Sequence, residues 1–188
     1  MDYLLSKALK SLKFLKRNNP LVFIFIGLSI FLFGAINYHR VRVLSFKNSP
    51  QPIISTGQKP IEIIIPSLNI DLPIEQGKIN NSVWEISQNS ATHLADSANP
   101  EDNGNIVIYG HNKKSIFGNL PYLKIGETIN IKVADGQIYK YKLEEKLWVK
   151  PDRVDLVSPT DHEVLTIYTC WGFLDSQRVI LKAVPIKQ

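Results

Sequence analysis

Hydrophobic positions follow two different rhythms along this chain of 188 residues. From Leu21 to Tyr38 the run LVFIFIGLSIFLFGAINY carries no charge. As a helix it would extend about 27 Å at roughly 1.5 Å per residue, close to the thickness of a bilayer core. Pro20 is suited to the first turn of such a helix. Beyond residue 60 the rhythm changes to alternation. Ile61, Ile63 and Ile65 alternate, then Ile70, Leu72 and Ile74, then Ile129, Ile131 and Val133. Residues 105–109 form a compact apolar run, 138–143 resume the pattern after a turn at Asp135-Gly136, and 146–149 continue it. Leu165–Cys170 and Gln177–Val184 are apolar, β-branched and joined by a short loop, so they are expected to pair. About eight short strands with one or two short helices predict a mostly β domain, a closed or nearly closed barrel.

The resulting organisation has four parts. Residues 1–19 form a basic segment, 20–38 a transmembrane anchor, 39–57 a polar, proline-bearing spacer, and 58–188 the barrel. No A-x-A-like cleavage site follows the apolar run, which favours a retained anchor over a removed signal peptide. Lys7, Lys10, Lys13, Lys16 and Arg17 precede the run and Arg40, Arg42 and Lys47 follow it. The excess on the amino side predicts a cytoplasmic amino terminus and a single-pass protein of the cell membrane with its barrel outside the cytoplasm. Residues 1–19 read either as a basic amphipathic helix on the inner leaflet or as a plain positive flank. Eight Lys or Arg against a single acid fall within residues 1–57, leaving fourteen basic against sixteen acidic residues beyond. The overall charge of +5 therefore belongs to the amino-terminal tail, and a nucleic-acid partner is not expected.

Chemistry centres on the only cysteine. Cys170 ends a predicted buried strand where a loop begins, and Arg178 opens the strand expected beside it. A lone cysteine is usually a small core hydrophobe, but strand ends bordering loops are where reactive groups are commonly held. A thiol nucleophile needs a proton-transfer partner and a donor for the developing oxyanion. Of the four histidines, His39 borders the membrane segment. His162 lies eight residues before Cys170, some 26 Å away if that stretch is extended at about 3.3 Å per residue. His111 follows Asn105–Gly110 at a second predicted strand end and is preferred over His93. Arg178 is preferred over Arg153, which sits among loop charges. One cysteine and four scattered histidines present no metal-ligand spacing, and no phosphate-binding glycine loop is visible, so no cofactor is expected.

Thr166-Ile167-Tyr168-Thr169-Cys170 resembles the Thr-Leu-x-Thr-Cys signature of the sortases, with Ile167 in the leucine position. The segment Ile106–Asn112 is similar to the one that carries their catalytic histidine, and Arg178 falls where their arginine follows the cysteine. The resemblance covers about residues 58–186, with the anchor and spacer matching the family layout. It implies a cysteine transpeptidase that cleaves a sorting motif of the Leu-Pro-x-Thr-Gly kind in surface proteins. The product would be transferred to an amine of peptidoglycan or a pilin. Catalytic roles would go to Cys170, His111 and Arg178, and Tyr109 and Thr169 would line the sorting-motif groove, roofed by residues 149–163. A cysteine hydrolase of the same architecture, and a tethered, non-catalytic binding domain with Cys170 as core filler, are the alternative readings.

Overall fold

A computed structural model of the chain describes residues 20–41, 55–80 and 83–186. The basic segment 1–19 and most of the expected spacer lie outside the described residues. The chain divides into two units near residue 40.

The first unit contains the helix α1, Pro20–Val41, opened by the proline as expected. Among the described residues no helix is long and apolar enough to cross a membrane. Within α1, side chains are described at residue 20 and over 22–36, and this stretch presents exposed Phe23, Phe25, Phe31 and Phe33.

In the second unit ten strands form: β1 (Pro60–Ile65), β2 (Ile70–Gly77), β3 (Ile79–Asn80), β4 (Val83–Trp84), β5 (Ala91–Leu94), β6 (Asn105–Gly110), β7 (Thr128–Val133), β8 (Ile138–Val149), β9 (Val164–Trp171) and β10 (Gln177–Pro185). Eight of them close into a barrel in the order β1-β2-β5-β6-β9-β10-β8-β7, while β3 and β4 pair only with each other. One face of each barrel strand fills the interior: Ile63 and Ile65, Ile106 and Ile108, Ile129 and Ile131, Leu165 and Ile167, Val179 and Leu181 belong to one buried cluster. Closure leaves the barrel no free edge, which is how so many short strands are stabilised together.

The expected strand number is met with different members. Residues 138–143 and 146–149 form one strand, because the β10 pairing shifts register between Lys182 and Ala183, where Lys182 faces Glu145 and Ala183 faces Leu143. That bulge reverses the phase of alternation. Before it Tyr141 and Leu143 belong to the interior, and after it Leu147 and Val149 pack on the opposite, outer face. The eighth barrel strand is instead β5, which is buried along its whole length and so shows no alternation. The expected short helices are 3-10 turns, at Pro66–Leu68, Leu120–Tyr122, Val154–Val157 and Phe173–Asp175.

The outer face of β6, β9 and β10 is covered as well. Trp84 of the β3–β4 hairpin and Leu156 and Val157 of the β8–β9 connection pack against Val107, Tyr109, Tyr168, Cys170 and Ile180. Burial on both faces explains why Val164–Cys170 is buried residue by residue and why its sequence is a nearly continuous apolar run.

His93 lies within β5, paired with Ile108 of β6 and Gln76 of β2. Its Nε2 donates to the Ala98 carbonyl at 3.0 Å, and Nδ1 is 2.9 Å from the Gln76 side-chain amide. Burial pushes its pKa down to about 4, with Lys59 acting in the same direction and the Ala98 bond and Asp102 opposing it. A histidine whose folded pKa is depressed contributes stability that is fully present above its unfolded pKa of about 6.5. That contribution is lost as pH falls from there towards 4, a change of about 3 kcal/mol. Replacing His93 with Gln is expected to flatten the pH dependence of denaturant midpoints over this window. An equally steep acid loss in H93Q would assign it to other groups.

Candidate active site

Strand register brings the expected residues to one rim of the barrel. In the antiparallel β9–β10 pair, Cys170 and Arg178 are directly opposite, so their side chains leave the same, outer face of the sheet. β6 runs parallel to β9, with Gly110 opposite Thr169. The next residue along β6 is His111, at the same level as Cys170. His111 and Cys170 line one open cleft with Gln88, Asn112, Lys113 and Asp175. Gly110 is required at this corner because a Cβ there would lie 2.9 Å from both Ile116 and Phe117.

Arg178 is almost fully buried. A buried cation is tolerated only where hydrogen-bond acceptors surround it. Its Nη1 donates to the backbone carbonyls of Asp175 and Gln177, each at 2.9 Å. The β9–β10 connection supplies the first of these carbonyls by adopting an unusual path. Gly172, Leu174 and Asp175 all have left-handed φ, at 81°, 52° and 57°. Two adjacent non-glycine residues in this region cost about 1–2 kcal/mol each. The guanidinium and the loop conformation therefore support one another.

Tyr109 and Thr169 are placed otherwise than the resemblance implies. Both are fully buried and neither lines the cleft. Thr169 shares the inward face of Ile167, and its hydroxyl donates to the Gly110 carbonyl at 2.8 Å. Tyr109 points outward but lies beneath the β3–β4 hairpin, donating to the Glu85 carbonyl at 2.5 Å and stacking on Tyr168 at 5.3 Å. Trp84 meets both rings edge-on. Burial pushes the Tyr109 and Tyr168 hydroxyls well above the ordinary phenol range. These residues fix the strand ends rather than present a surface.

The rejected candidates are also accounted for. His93 is buried in the barrel wall with both ring nitrogens occupied. His162 is exposed beside Asp161, just ahead of β9 and so at the opposite end of that strand from Cys170. Arg153 pairs with Asp155, and both side chains are exposed. Gln88, Asn112, Lys113 and Asp175 leave no mark in the sequence, since polar loop residues carry no periodic pattern. Only the adjacency of Asn112 and Lys113 to His111 could have pointed to two of them. Trp171, next to the thiol, turns inward and packs against the barrel interior.

An eight-stranded barrel thus carries a thiol, an imidazole and a guanidinium at adjacent strand ends. Residues 63–186 match the Sortase domain, and the chain belongs to the sortase family. It is 27% identical over 118 residues to Sortase D of Bacillus subtilis strain 168, covering 63% of this chain and 57% of that protein. The chain thus spans little more than half the length of that relative. Among solved structures it resembles Sortase A from Corynebacterium diphtheriae, with a TM-score of 0.59 and 27% identity over 70% of this chain and 63% of the other. It also resembles a Clostridium perfringens Sortase D5 transpeptidase, with the same TM-score and identity over 69% and 80% of the two chains.

The Thr169–Gly110 bond ties the strand bearing the thiol to the strand leading to His111. Thr169→Val leaves a buried carbonyl without its donor, a loss of about 1–3 kcal/mol in stability. Denaturant unfolding should show that loss. In turnover of a peptide substrate, kcat should fall while KM for the peptide stays unchanged. A raised KM with unaltered stability would restore Thr169 to the groove.

Proposed function

We propose that the protein is a cysteine transpeptidase that cleaves a sorting motif of the Leu-Pro-x-Thr-Gly kind and joins the new carboxyl end to an amine of the cell wall or a pilin. The observation that carries this reading is the register that sets Arg178 opposite Cys170 while His111 borders the same cleft. The description of the Clostridium perfringens relative as a transpeptidase supports it.

In this mechanism the Cys170 thiolate attacks the scissile carbonyl carbon and Arg178 stabilises the oxyanion. His111 donates a proton to the nitrogen that departs, and the C–N bond breaks to leave a thioester. An incoming amine then attacks the thioester carbonyl and yields a proton to His111 as the C–S bond breaks, returning the thiolate. Tyr109 and Thr169 act as positioning residues beneath the site, and residues 149–163 cover the outer face next to it. A membrane anchor over residues 20–38, with the barrel outside the cytoplasm, belongs to this reading on the strength of the sequence alone, since no helix among the described residues has the length and apolarity to cross a membrane. The uncharged run and the lysine excess before it support that assignment.

Guanidinium presents forked donors in fixed geometry, whereas an ammonium on a flexible stem keeps the sign and loses the alignment. Arg178→Lys should therefore slow acylation by a sorting peptide about 100 to 1,000-fold while Cys170 remains open to alkylation. Arg153→Lys is the silent control, and near-normal acylation by R178K would withdraw Arg178 from catalysis. His111→Ala should abolish turnover. Protease applied to wall-stripped cells should digest the barrel; a protected barrel would remove the cell-surface role.

A further inference from the structure

Asp175 is the one carboxylate among the described residues that line the cleft. Two cationic side chains stand close to this cleft. Lys113 borders the same cleft with its ammonium turned to the Gln88 carbonyl at 2.7 Å, and Arg178 lies under the loop that carries Asp175. Asp175 enters none of the ion pairs found among the described residues. Its left-handed backbone, with φ of 57°, separates two tasks within one residue. Its carbonyl accepts from Arg178, and the residue also lines the cleft.

An acceptor amine presents a problem of charge. At neutral pH a primary alkyl amine is an ammonium ion, which cannot attack a thioester and which Lys113 and Arg178 repel. A carboxylate bordering the thiol offsets that repulsion and concentrates the cation where it is needed. We infer that Asp175 recruits the acceptor to the cleft as a primary ammonium ion and thereby selects amines for transfer from Cys170. This inference rests on the transpeptidase reading above. The bound ammonium releases one proton to solvent, its nitrogen attacks the thioester carbonyl, and the second proton passes to His111 as the C–S bond breaks and Cys170 leaves as thiolate.

The chemistry predicts a separation between charged and uncharged nucleophiles. Asn adopts left-handed backbone at least as readily as Asp, so Asp175→Asn removes the charge and keeps the carbonyl for Arg178. With an acyl-enzyme formed from a Leu-Pro-x-Thr-Gly peptide, the variant should show a KM for cationic acceptors raised about tenfold. Hydroxylamine, uncharged at neutral pH, should react with the variant acyl-enzyme as fast as with wild type. Acceptors are the ε-amine of Nα-acetyl-lysine amide and the α-amine of triglycine amide. The one with the larger wild-type kcat/KM identifies a side-chain or a terminal amine as the source. In wild type alone, added salt should depress aminolysis by these cations while leaving hydroxylamine untouched. Unchanged amine KM in D175N, an equal loss with hydroxylamine, or salt-independent aminolysis in wild type overturns the inference. Failure of the wild type to form any acyl-enzyme overturns the transpeptidase reading itself, which the hydroxylamine arm detects separately.

Discussion

Everything at the cleft depends on the register of three neighbouring strands. β9 is held by β6 on one side, parallel, and by β10 on the other, antiparallel. Because side chains alternate with a period of two, a slip of one residue in either pairing would turn the thiol into the barrel or carry the guanidinium away from it. The slip is opposed on both faces at once. Leu165, Ile167, Val179 and Leu181 would leave the barrel interior, and Tyr168 and Ile180 would leave the cover formed by Trp84, Leu156 and Val157. Each fully buried side chain of that size contributes about 1.5–3 kcal/mol, so the site inherits its accuracy from hydrophobic packing rather than from its own polar contacts.

The β9–β10 pair was legible in the sequence because both strands are apolar and the loop between them admits only an adjacent antiparallel return. From that pairing alone Arg178 falls beside Cys170. Closure of the barrel follows from the number of alternating runs, yet the structure joins two of those runs into β8 and adds β5. Glu144 and Glu145 interrupt the apolar pattern of β8, where a bulge shifts the phase of burial. Residues 91–94 show no pattern for the opposite reason. Ala91, Thr92, His93 and Leu94 are all buried, and two of the four are polar, so neither alternation nor an apolar run marks them. Burial of Thr92 and His93 is possible only because each finds a partner: the Thr92 hydroxyl accepts from the Ser87 amide, and the His93 ring bonds Ala98. Both partners lie only five residues away, but they belong to loops flanking β5, and no periodic pattern marks them.

The same distinction separates the site residues that were legible from those that were not. Cys170, His111 and Arg178 stand at strand ends, and strand ends follow from hydrophobic pattern. Tyr109 and Thr169 occupy strand interiors one residue before such ends, and there the face of the strand decides between cleft and interior. Thr169 follows Ile167 inward, while Tyr109 points outward but under a hairpin whose two short strands carry no recognisable alternation. Motif similarity places a residue along the chain without specifying which of the two faces is open.

The loop after Cys170 shows where local preference is overruled. Leu174 in left-handed backbone is unfavourable by itself, and Phe173 and Leu174 remain largely exposed there. No burial of these side chains compensates the strain. The compensation lies in Arg178, whose burial would be untenable without acceptors and whose Nη1 the loop supplies with the Asp175 carbonyl. An exposed, strained connection is thus maintained by the requirements of a buried cation, and that cation lies opposite the thiol because β9 and β10 pair in one register. Relaxing the loop to ordinary backbone angles would take the carbonyl from the guanidinium and move the Asp175 carboxylate out of the cleft in one step. Charge at the back of the site and charge at its mouth are consequently linked through five residues of chain, 172–176.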